Sequence, residues 1–408
     1  MAASADEGLD DGPTSLGEVF RYFLRLGWLA FGGPVGQIGL MHLDVVERRR
    51  WLSEEEFIRA LNFCHVLPGP EAMQLAIYIG WKKRSYLGGV VAGLLFLMPG
   101  FLTLTALGWI YVRFGMRPEV LGVLWGFRPV GLALLLAALV RISRAALKGV
   151  FQVLLAIAAF GAFFFGHVPF VAVLLGCGAA YILWSVRGAG KGPWRASTVV
   201  LLAPLGTWSE PESIRRLTDI SWFFLKVGLF SFGGAYAALP YIREGAVTIH
   251  GWLTDPQMID ALALGETTPG PLISIGIFVG YLAGHRVGQG LLGAIAATFW
   301  LFLPSFVFVL GAARHMDFLT SQPRVKEFLK GVTSGVVGLM FSVSLPLARA
   351  AFAPHGTVDW VTVVLGLAAF IVLRVWKWRL NVVVVVLGGG VLGLLRAFAP
   401  ALFGGPLG

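Results

Sequence analysis

Long apolar segments separated by short polar loops dominate the pattern of this chain. Eight of them are long enough to be candidate membrane spans, and they cover residues 87–112, 120–140, 150–166, 169–186, 288–313, 330–348, 358–373 and 381–396. A helix needs roughly 20 apolar residues to cross a hydrocarbon core that is about 30 Å thick. The pattern therefore predicts an all-α polytopic membrane protein.

Composition and charge support this class. The chain has 408 residues, of which 57% are hydrophobic and only 13% are charged, and this excludes an ordinary soluble domain. A net charge of +10 would suggest a nucleic-acid partner in a soluble protein. In a membrane protein, Lys and Arg instead accumulate in cytoplasmic loops. We therefore expect the lipid bilayer, and no nucleic acid, as a partner.

An internal repeat divides the chain into two homologous halves. Shifting the sequence by 201 residues superposes residues 23–70 on 224–271 and aligns the FGG, WL and PGP motifs in order. We predict a disordered acidic tail at residues 1–15, a first transporter repeat at 16–187, a linker at 188–218 and a second repeat at 219–408. Repetition on this scale indicates a duplicated fold.

The charged loops predict that the second half is inserted upside down. In the first half the basic loops include KKR at 82–84 and RISRAALK at 141–148. In the second half they lie at 314–330 and 374–379, which are the opposite ends of the corresponding helices. Because basic loops mark the cytoplasmic side, the two halves have inverted topology. This is the architecture of secondary transporters, which bind substrate between the halves at broken helices.

Two kinds of helix break recur in both halves. The first is FGGP at 31–34, repeated as FGGA at 232–235, and the second is the PGP motif at 68–70 and 269–271. A glycine costs about 1 kcal/mol in a helix interior and a proline about 3 kcal/mol, so these motifs favour open backbone over continuous helix. We expect the FGGP helix to cross completely and the PGP elements to be re-entrant hairpins, which gives about ten crossings. Close helix packing is the competing explanation for the paired glycines.

A cation precedes the FGG motif in each half. Arg25 and Lys226 occupy the same repeat position within apolar segments, where an unpaired cation costs roughly 2.5–3.5 kcal/mol. Snorkelling to the headgroups would explain Arg25 without any function. Recurrence in both halves favours a role inside the bundle. Beside the positive ends of half-helices, such cations indicate an anionic ligand.

The candidate substrate-binding residues are the cations and the residues of the breaks. They are Arg25, Gly32, Gly33, Pro34, Gln37, Pro68, Gly69, Pro70, Lys226, Gly233, Gly234, Pro269, Gly270 and Pro271. His65 and Glu266 occupy the same repeat position just before PGP, and both are candidates for proton coupling. A hydrogen-bonded core histidine is the alternative for His65. Glu71 is expected to cap the amino end of its own helix.

The paired FGG, WL and PGP motifs resemble the long-chain chromate ion transporter family, and the resemblance covers nearly the whole chain after the acidic tail. It implies export of chromate across the bacterial inner membrane and hence chromate resistance, with sulfate as a chemically similar competitor. It implies no cofactor. Whether the protein forms a homodimer is left open by the sequence.

Two other functional classes fit the sequence less well. A membrane enzyme acting on a phosphate-bearing lipid would also need cations, but the apolar segments contain no HExxH motif and no nucleophile elbow. An anion channel would not require inverted pairs of breaks. We therefore interpret the protein as a secondary transporter and not as an enzyme, with transport of sulfate or another oxyanion as the alternative.

Overall fold

Helices make up the regular structure of the part of the chain that the computed structural model describes, which is residues 14–31, 33–188, 211–354, 356–376 and 381–399. The first half contains α1 (Leu16–Leu29), α2 (Gly33–His42) with a π-helical extension (Leu43–Arg48), α3 (Glu54–Val66), α4 (Glu71–Phe114), α5 (Pro118–Ala146), α6 (Val150–Phe164) and α7 (Phe170–Gly188).

The second half repeats this order of helices. It contains α8 (Glu212–Phe230), a 3-10 turn (Ala235–Ala238), α9 (Leu239–Arg243) with a π-helical extension (Glu244–Ile249), α10 (Asp255–Thr267), a 3-10 turn (Leu272–Ser274), α11 (Ile275–His285), α12 (Gly290–Ala312), a 3-10 turn (Ala313–His315), α13 (Met316–Ser321), α14 (Pro323–Phe352), α15 (Trp360–Val375) and α16 (Asn381–Phe398). Residues 189–210 of the predicted linker (188–218) and residues 1–13 of the predicted tail (1–15) lie outside the described residues. The last part of the predicted linker differs from the prediction, because residues 212–218 form the first two turns of α8.

Among the described residues, five helical segments are long and apolar enough to cross a membrane. They are Glu71–Phe114, Pro118–Ala146, Gly290–Ser321, Pro323–Phe352 and Asn381–Phe398. Val150–Phe164, Phe170–Val186, Leu272–His285 and Trp360–Val375 are shorter apolar helices. The described part of the chain contains no strand, so the predicted class, an all-α polytopic membrane protein, is confirmed.

The PGP elements are hairpins whose two ends lie on the same face of the protein. In the first half, Lys82 Nζ lies 2.5 Å from Glu56 Oε1, which joins the end of the first arm of α4 to the start of α3. The chain then reverses at Arg84 and Ser85, where the backbone leaves helical geometry. In the second half, Arg286 Nη1 donates to the Gly251 carbonyl across the same gap. With 13 residues, α3 is about 20 Å long, which is shorter than the hydrocarbon core.

The FGGP element also folds back on itself, which differs from the predicted complete crossing. Arg49, at the end of the π-helical extension of α2, lies 2.9 Å from Glu18 near the start of α1. Its guanidinium also lies 4.9 Å from the ring centre of Tyr22. The break therefore turns the chain around instead of bending one continuous span. The total of about ten crossings stays a prediction, because residues 189–210, which join the two halves, lie outside the described residues.

Equivalent helices of the two halves run in opposite directions. Gly89 packs against Leu310, and Gly93, one turn later on α4, packs against Phe306, one turn earlier on α12. At the start of this contact, the Arg314 guanidinium lies 5.7 Å from the ring centre of Tyr86. The two helices are therefore antiparallel, and the predicted basic loops at 82–84 and 314–330 meet on one face. This is the geometry that inverted repeats require.

Glycines bring the outer helices into backbone contact with α5. Gly126 approaches the carbonyl of Gly389, and Gly122 approaches that of Gly393 on α16. Small residues allow such close approach where lipid supplies no hydrophobic driving force between helices. α5 is thereby fixed in the interior, between α16 and α14. Its carboxyl-terminal end reaches the site described next.

Candidate anion-binding site

The paired glycines break the helices as predicted. Gly33 has φ +70°, Gly233 has +86° and Gly234 has +93°, all in the region that favours glycine. α2 begins at Gly33, so Pro34 lies in its first turn. A Cβ on Gly33 would meet nothing within 4 Å, which excludes close helix packing as the reason for this glycine. Gly32 lies outside the described residues.

Each PGP tip binds the FGG break of the other half. The Gly69 N–H donates to the Ser231 carbonyl at 3.0 Å, and the Gly270 N–H donates to the Ala30 carbonyl at 3.1 Å. Ser231 and Ala30 are equivalent in the repeat, so the two contacts are related by the internal symmetry. The flanking prolines are all buried: Pro68, Pro70, Pro269 and Pro271. The breaks and tips therefore meet between the halves, where inverted-repeat transporters bind substrate.

Gln37 stabilises the contact between Gly270 and Ala30, at the break of the first half. Its side chain is buried, and Nε2 donates to the Gly270 carbonyl at 2.6 Å and to the Ala30 carbonyl at 3.0 Å. Both acceptors are backbone atoms that the break leaves without a helical partner. Gln37 therefore has a structural role in this conformation. The equivalent residue in the second half is Ala238, which has no amide group.

A large basic cavity reaches the break of the second half. It has a volume of about 1120 Å³ and extends between α3, the end of α5 and the start of α14 to Gly233. We call it the basic cavity. Its charged lining residues are Arg59, Arg141, Lys148, Lys326, Lys330, Glu71 and Asp317. The cations outnumber the carboxylates, and low-dielectric walls focus such a field on a diffusing anion.

A second cavity reaches the break of the first half. We call it the junction cavity: it has a volume of about 510 Å³ and is lined by Gly33, Tyr236 and Glu266 as well as by arginines. Arg141 lines both cavities, and its guanidinium lies 5.5 Å from the ring centre of Tyr236. The Tyr236 hydroxyl in turn lies 2.5 Å from Glu266 Oε1. Arg141 is therefore placed between the two breaks.

The two candidates for proton coupling lie in different cavities. His65 is half-exposed in the basic cavity, with Nδ1 3.7 Å from Glu71 Oε1. Glu266 is buried beside the junction cavity. Glu71 lies in the first turn of α4, where its carboxylate is favourably placed at the positive end of the helix dipole, as predicted. Its carboxylate also packs against Gly234, where a Cβ would lie 2.9 Å from Oε1.

The two predicted cations do not face the site. Arg25 is exposed on the outer surface of α1, together with Trp28, whereas Leu26 and Gly27 face the interior. Lys226 is half-buried, and its Nζ lies 5.8 Å from the ring centre of Trp222. Neither residue lines the basic or the junction cavity. Arg25 thus differs from the expected position inside the bundle, and its exposure favours the alternative, snorkelling to the headgroups.

Comparison with known proteins gives the family. The sequence profile described as "Chromate transporter" matches residues 17–182 and 218–394. This chain belongs to the chromate transporter family. It is 36% identical over 400 residues to a chromate transport protein of Pseudomonas aeruginosa, covering 94% of this chain and 93% of that one.

Two further relatives have comparable coverage. A chromate transport protein of Cupriavidus metallidurans is 30% identical, with 93% of each chain covered. A probable chromate transport protein of Synechococcus elongatus is 31% identical, with 89% of this chain and 90% of that one covered. No solved structure matches the chain. The chain is thus a multi-pass membrane protein of a transporter family and not an enzyme.

Arg141 is the site residue that sequence reasoning missed in this chromate transporter family member. Its loop, RISRAALK, was interpreted only as a marker of topology, and the predicted span ended at residue 140. In the structure α5 continues to Ala146, so Arg141 belongs to the helix and lies beside Tyr236. An arginine just inside the end of an apolar helix was the available signal.

Proposed function

We propose that this protein is a secondary transporter that exports chromate across the bacterial inner membrane and so confers chromate resistance. The observation that carries the proposal is the basic cavity, which extends to a broken helix in a chain of the chromate transporter family. We place the anion near Arg141, between the breaks at Gly33 and Gly233. This position replaces the earlier one beside Arg25 and Lys226.

The chemistry of this position suits a tetrahedral dianion. A guanidinium can form two parallel hydrogen bonds to neighbouring oxygens of an oxyanion, and it stays charged at any physiological pH. Backbone N–H groups at a helix break supply further donors without adding a titratable group. Lys326, Lys330 and Lys148, which also line the cavity, attract the anion from solution.

Uphill export requires a coupling ion, and we propose the proton. Glu266 is connected to Arg141 through Tyr236, so protonation of Glu266 changes the charge next to the anion position. His65 is the second candidate because it lies in the basic cavity beside Glu71. Each of these groups adds or removes one charge when it titrates, which is what coupling to a dianion needs.

Sulfate is the alternative substrate, because it has the same tetrahedral shape and the same charge as chromate. A basic cavity with backbone donors binds both anions, and the family's name favours chromate. An anion channel is less well supported, since paired breaks between inverted halves are typical of alternating access.

Everted inner-membrane vesicles test the proposal directly. Vesicles that contain the protein should accumulate chromate when a proton gradient is imposed, and an uncoupler should abolish the accumulation. Vesicles without the protein provide the baseline, and excess sulfate measures competition. Accumulation of sulfate but not chromate would establish the alternative. Equilibration of either anion without accumulation would indicate a channel.

A charge-neutral substitution tests the coupling residue. Glu266→Gln preserves the shape of the side chain and removes the titrating proton, so vesicles should equilibrate chromate without accumulating it. Glu55→Gln is the matched control, because Glu55 is exposed at the start of α3, away from both cavities. Normal accumulation by Glu266→Gln would reject Glu266 as the coupling group.

A further inference from the structure

A buried ion pair joins the two halves at some distance from the basic cavity. Arg128 on α5 donates to Asp260 on α10 through Nε to Oδ1 at 3.0 Å and through Nη2 to Oδ2 at 3.2 Å. The Tyr111 hydroxyl on α4 donates to Oδ2 at 3.0 Å. Asp260 is completely buried. Three helices from both halves therefore meet at one carboxylate.

This pair is an unusual way to hold helices together. Taking both charges out of water costs about as much as their attraction returns, so apolar residues of similar volume would stabilise the contact equally well. A buried pair is better explained where it specifies one of two arrangements. A partly separated pair would leave two buried charges without a partner, which is strongly destabilising. The contact is therefore either fully made or separated far enough for both charges to find other partners.

A third cavity lies against this pair. We call it the far cavity: it has a volume of about 310 Å³ and is lined by Arg128, Tyr111, Gln257, His285 and Arg286, among others. Arg128 and Arg141 lie 13 residues apart on α5, which corresponds to about 20 Å along the helix. The far cavity and the basic cavity are therefore at opposite ends of α5. The described residues that line the far cavity include two arginines, a histidine and no carboxylate.

In the internal repeat, the positions that correspond to Asp260 and Arg128 line the basic cavity. Asp260 on α10 corresponds to Arg59 on α3, at the same offset that aligns the PGP motifs. α5 and α14 both begin at a proline, and Arg128 and Thr333 each follow ten residues after it. Arg59 and Thr333 both line the basic cavity, and because Thr333 carries no charge these two positions cannot form the ion pair that Asp260 and Arg128 form. One end of the molecule is thus closed at the positions where the other end is open.

We infer that the far cavity is a second oxyanion site, and that the contact of Arg128 with Asp260 and Tyr111 is the gate that closes it. Separation of the pair frees the Arg128 guanidinium for an anion that arrives from the basic cavity. The inference rests on the proposed anion transport for its ligand. The gate itself is defined by the ion pair, so it can be measured without any transport.

Thiol labelling of the purified full-length protein tests the gate. Leu124 lines the far cavity and is almost completely buried, so Leu124→Cys reports opening. The parent protein for this measurement also carries Cys64→Ala and Cys177→Ala, which removes the natural thiols. Asp260→Asn should raise the labelling rate by a water-soluble thiol reagent about tenfold or more, because a charge-assisted bidentate contact is lost.

A matched ion pair provides the control. Arg243 and Asp255 also form a bidentate pair in the second half, at 2.8 and 2.9 Å, but they do not contact Arg128. Asp255→Asn should leave the labelling rate unchanged. Equal rates in the parent and in Asp260→Asn would overturn the gate. Tyr111→Phe keeps both charges and removes one hydrogen bond, so it covers the case in which Asp260→Asn does not fold. It should raise the labelling rate by a smaller factor than Asp260→Asn. An unchanged labelling rate in Tyr111→Phe would also overturn the gate.

Protection by an anion tests the second site. Chromate or sulfate should slow the labelling of Leu124→Cys in the Asp260→Asn protein, because the anion occupies the far cavity beside Arg128. Adding Arg128→Gln should abolish this protection and leave labelling fast. Protection that persists without Arg128 would reject the site. Failure of vesicles to accumulate any oxyanion would reject the proposed function and would leave the labelling result for the gate intact.

Discussion

The two FGG breaks have the same origin in the repeat but different surroundings. In the first half, Gln37 crosses the break and binds the carbonyls of Ala30 and Gly270. In the second half, the equivalent residue is Ala238, and the break at Gly233 borders the basic cavity instead. At the first break a buried amide binds two backbone carbonyls, whereas the second break has Ala238 in that position and its exposed Gly233 lines the basic cavity.

The difference shows that duplication preserved the backbone and allowed the side chains to diverge. Both breaks keep glycines at positive φ and both receive a PGP tip from the opposite half. They differ in the cavity that their glycines line: Gly233 lines the basic cavity of about 1120 Å³, and Gly33 lines the junction cavity of about 510 Å³. We therefore assign the larger part of anion binding to the second break and a mainly structural role to the first.

Alanine at the glycines should separate the two breaks most strongly. Gly234 has φ +93° and ψ 176°, a conformation that only glycine adopts readily, and a Cβ there would lie 2.9 Å from Glu71 Oε1. We expect Gly234→Ala to raise the half-saturating chromate concentration in vesicle transport by roughly 5-fold to 150-fold, corresponding to about 1–3 kcal/mol of strain.

Gly33→Ala is the matched control for that substitution. Gly33 also has positive φ, but a Cβ there would meet nothing within 4 Å. The cost is then only that of the left-handed backbone, about 1–2 kcal/mol, and it should appear mainly as a lower thermal stability in detergent. A larger transport defect in Gly33→Ala than in Gly234→Ala would reverse the assignment of the two breaks.

Removing the amide of Gln37 should affect stability more than transport. Gln37→Leu leaves the Gly270 carbonyl without a side-chain donor in a buried position, which should lower the free energy of unfolding by about 1–3 kcal/mol. Thermal unfolding of the purified protein measures this change. The half-saturating chromate concentration should stay within about threefold of wild type, which is less than 1 kcal/mol. A sharp loss of chromate affinity at unchanged stability would make Gln37 a ligand.

The smallest effect is expected at the two cations that precede the breaks. Arg25 is exposed on α1, and Lys226 lies over Trp222 and lines neither the basic nor the junction cavity. Arg25→Gln and Lys226→Gln should each change the half-saturating chromate concentration by less than about threefold, since contacts at the surface contribute at most about 1 kcal/mol. Loss of transport in both variants at normal protein abundance would show that Arg25 and Lys226 belong to the binding site.

Periodicity, charge and repetition were enough to predict most of the fold. The length of the apolar segments predicted the long helices, and the basic loops predicted an inversion with which the antiparallel contacts of α4 and α12 at Gly89 and Leu310 agree. Glycine and proline placed the breaks correctly because their backbone preferences act locally. The fold-back of the FGGP element was not predictable, because it depends on the tertiary contact of Arg49 with Glu18.

The site was predicted less completely, because long-range packing decides which side chains share a cavity. The sequence indicated an anion and placed the breaks at glycines that have positive φ in the structure, but it assigned the charge to Arg25, which the helix phase places outside. Arg141 was hidden among loop residues that also mark topology. The ion pair of Arg128 with Asp260 joins residues that are 132 positions apart, and no local pattern connects them.

Equilibrium binding of chromate to the purified protein tests the central claim, which is that the anion binds beside Arg141 in the basic cavity. Arg141→Gln should weaken binding by about 10-fold to 150-fold, because a charged hydrogen-bond donor contributes about 1.5–3 kcal/mol. Arg25→Gln, which neutralises the same type of side chain on the outer surface, should bind like wild type. Unchanged binding in Arg141→Gln together with lost binding in Arg25→Gln would contradict the account.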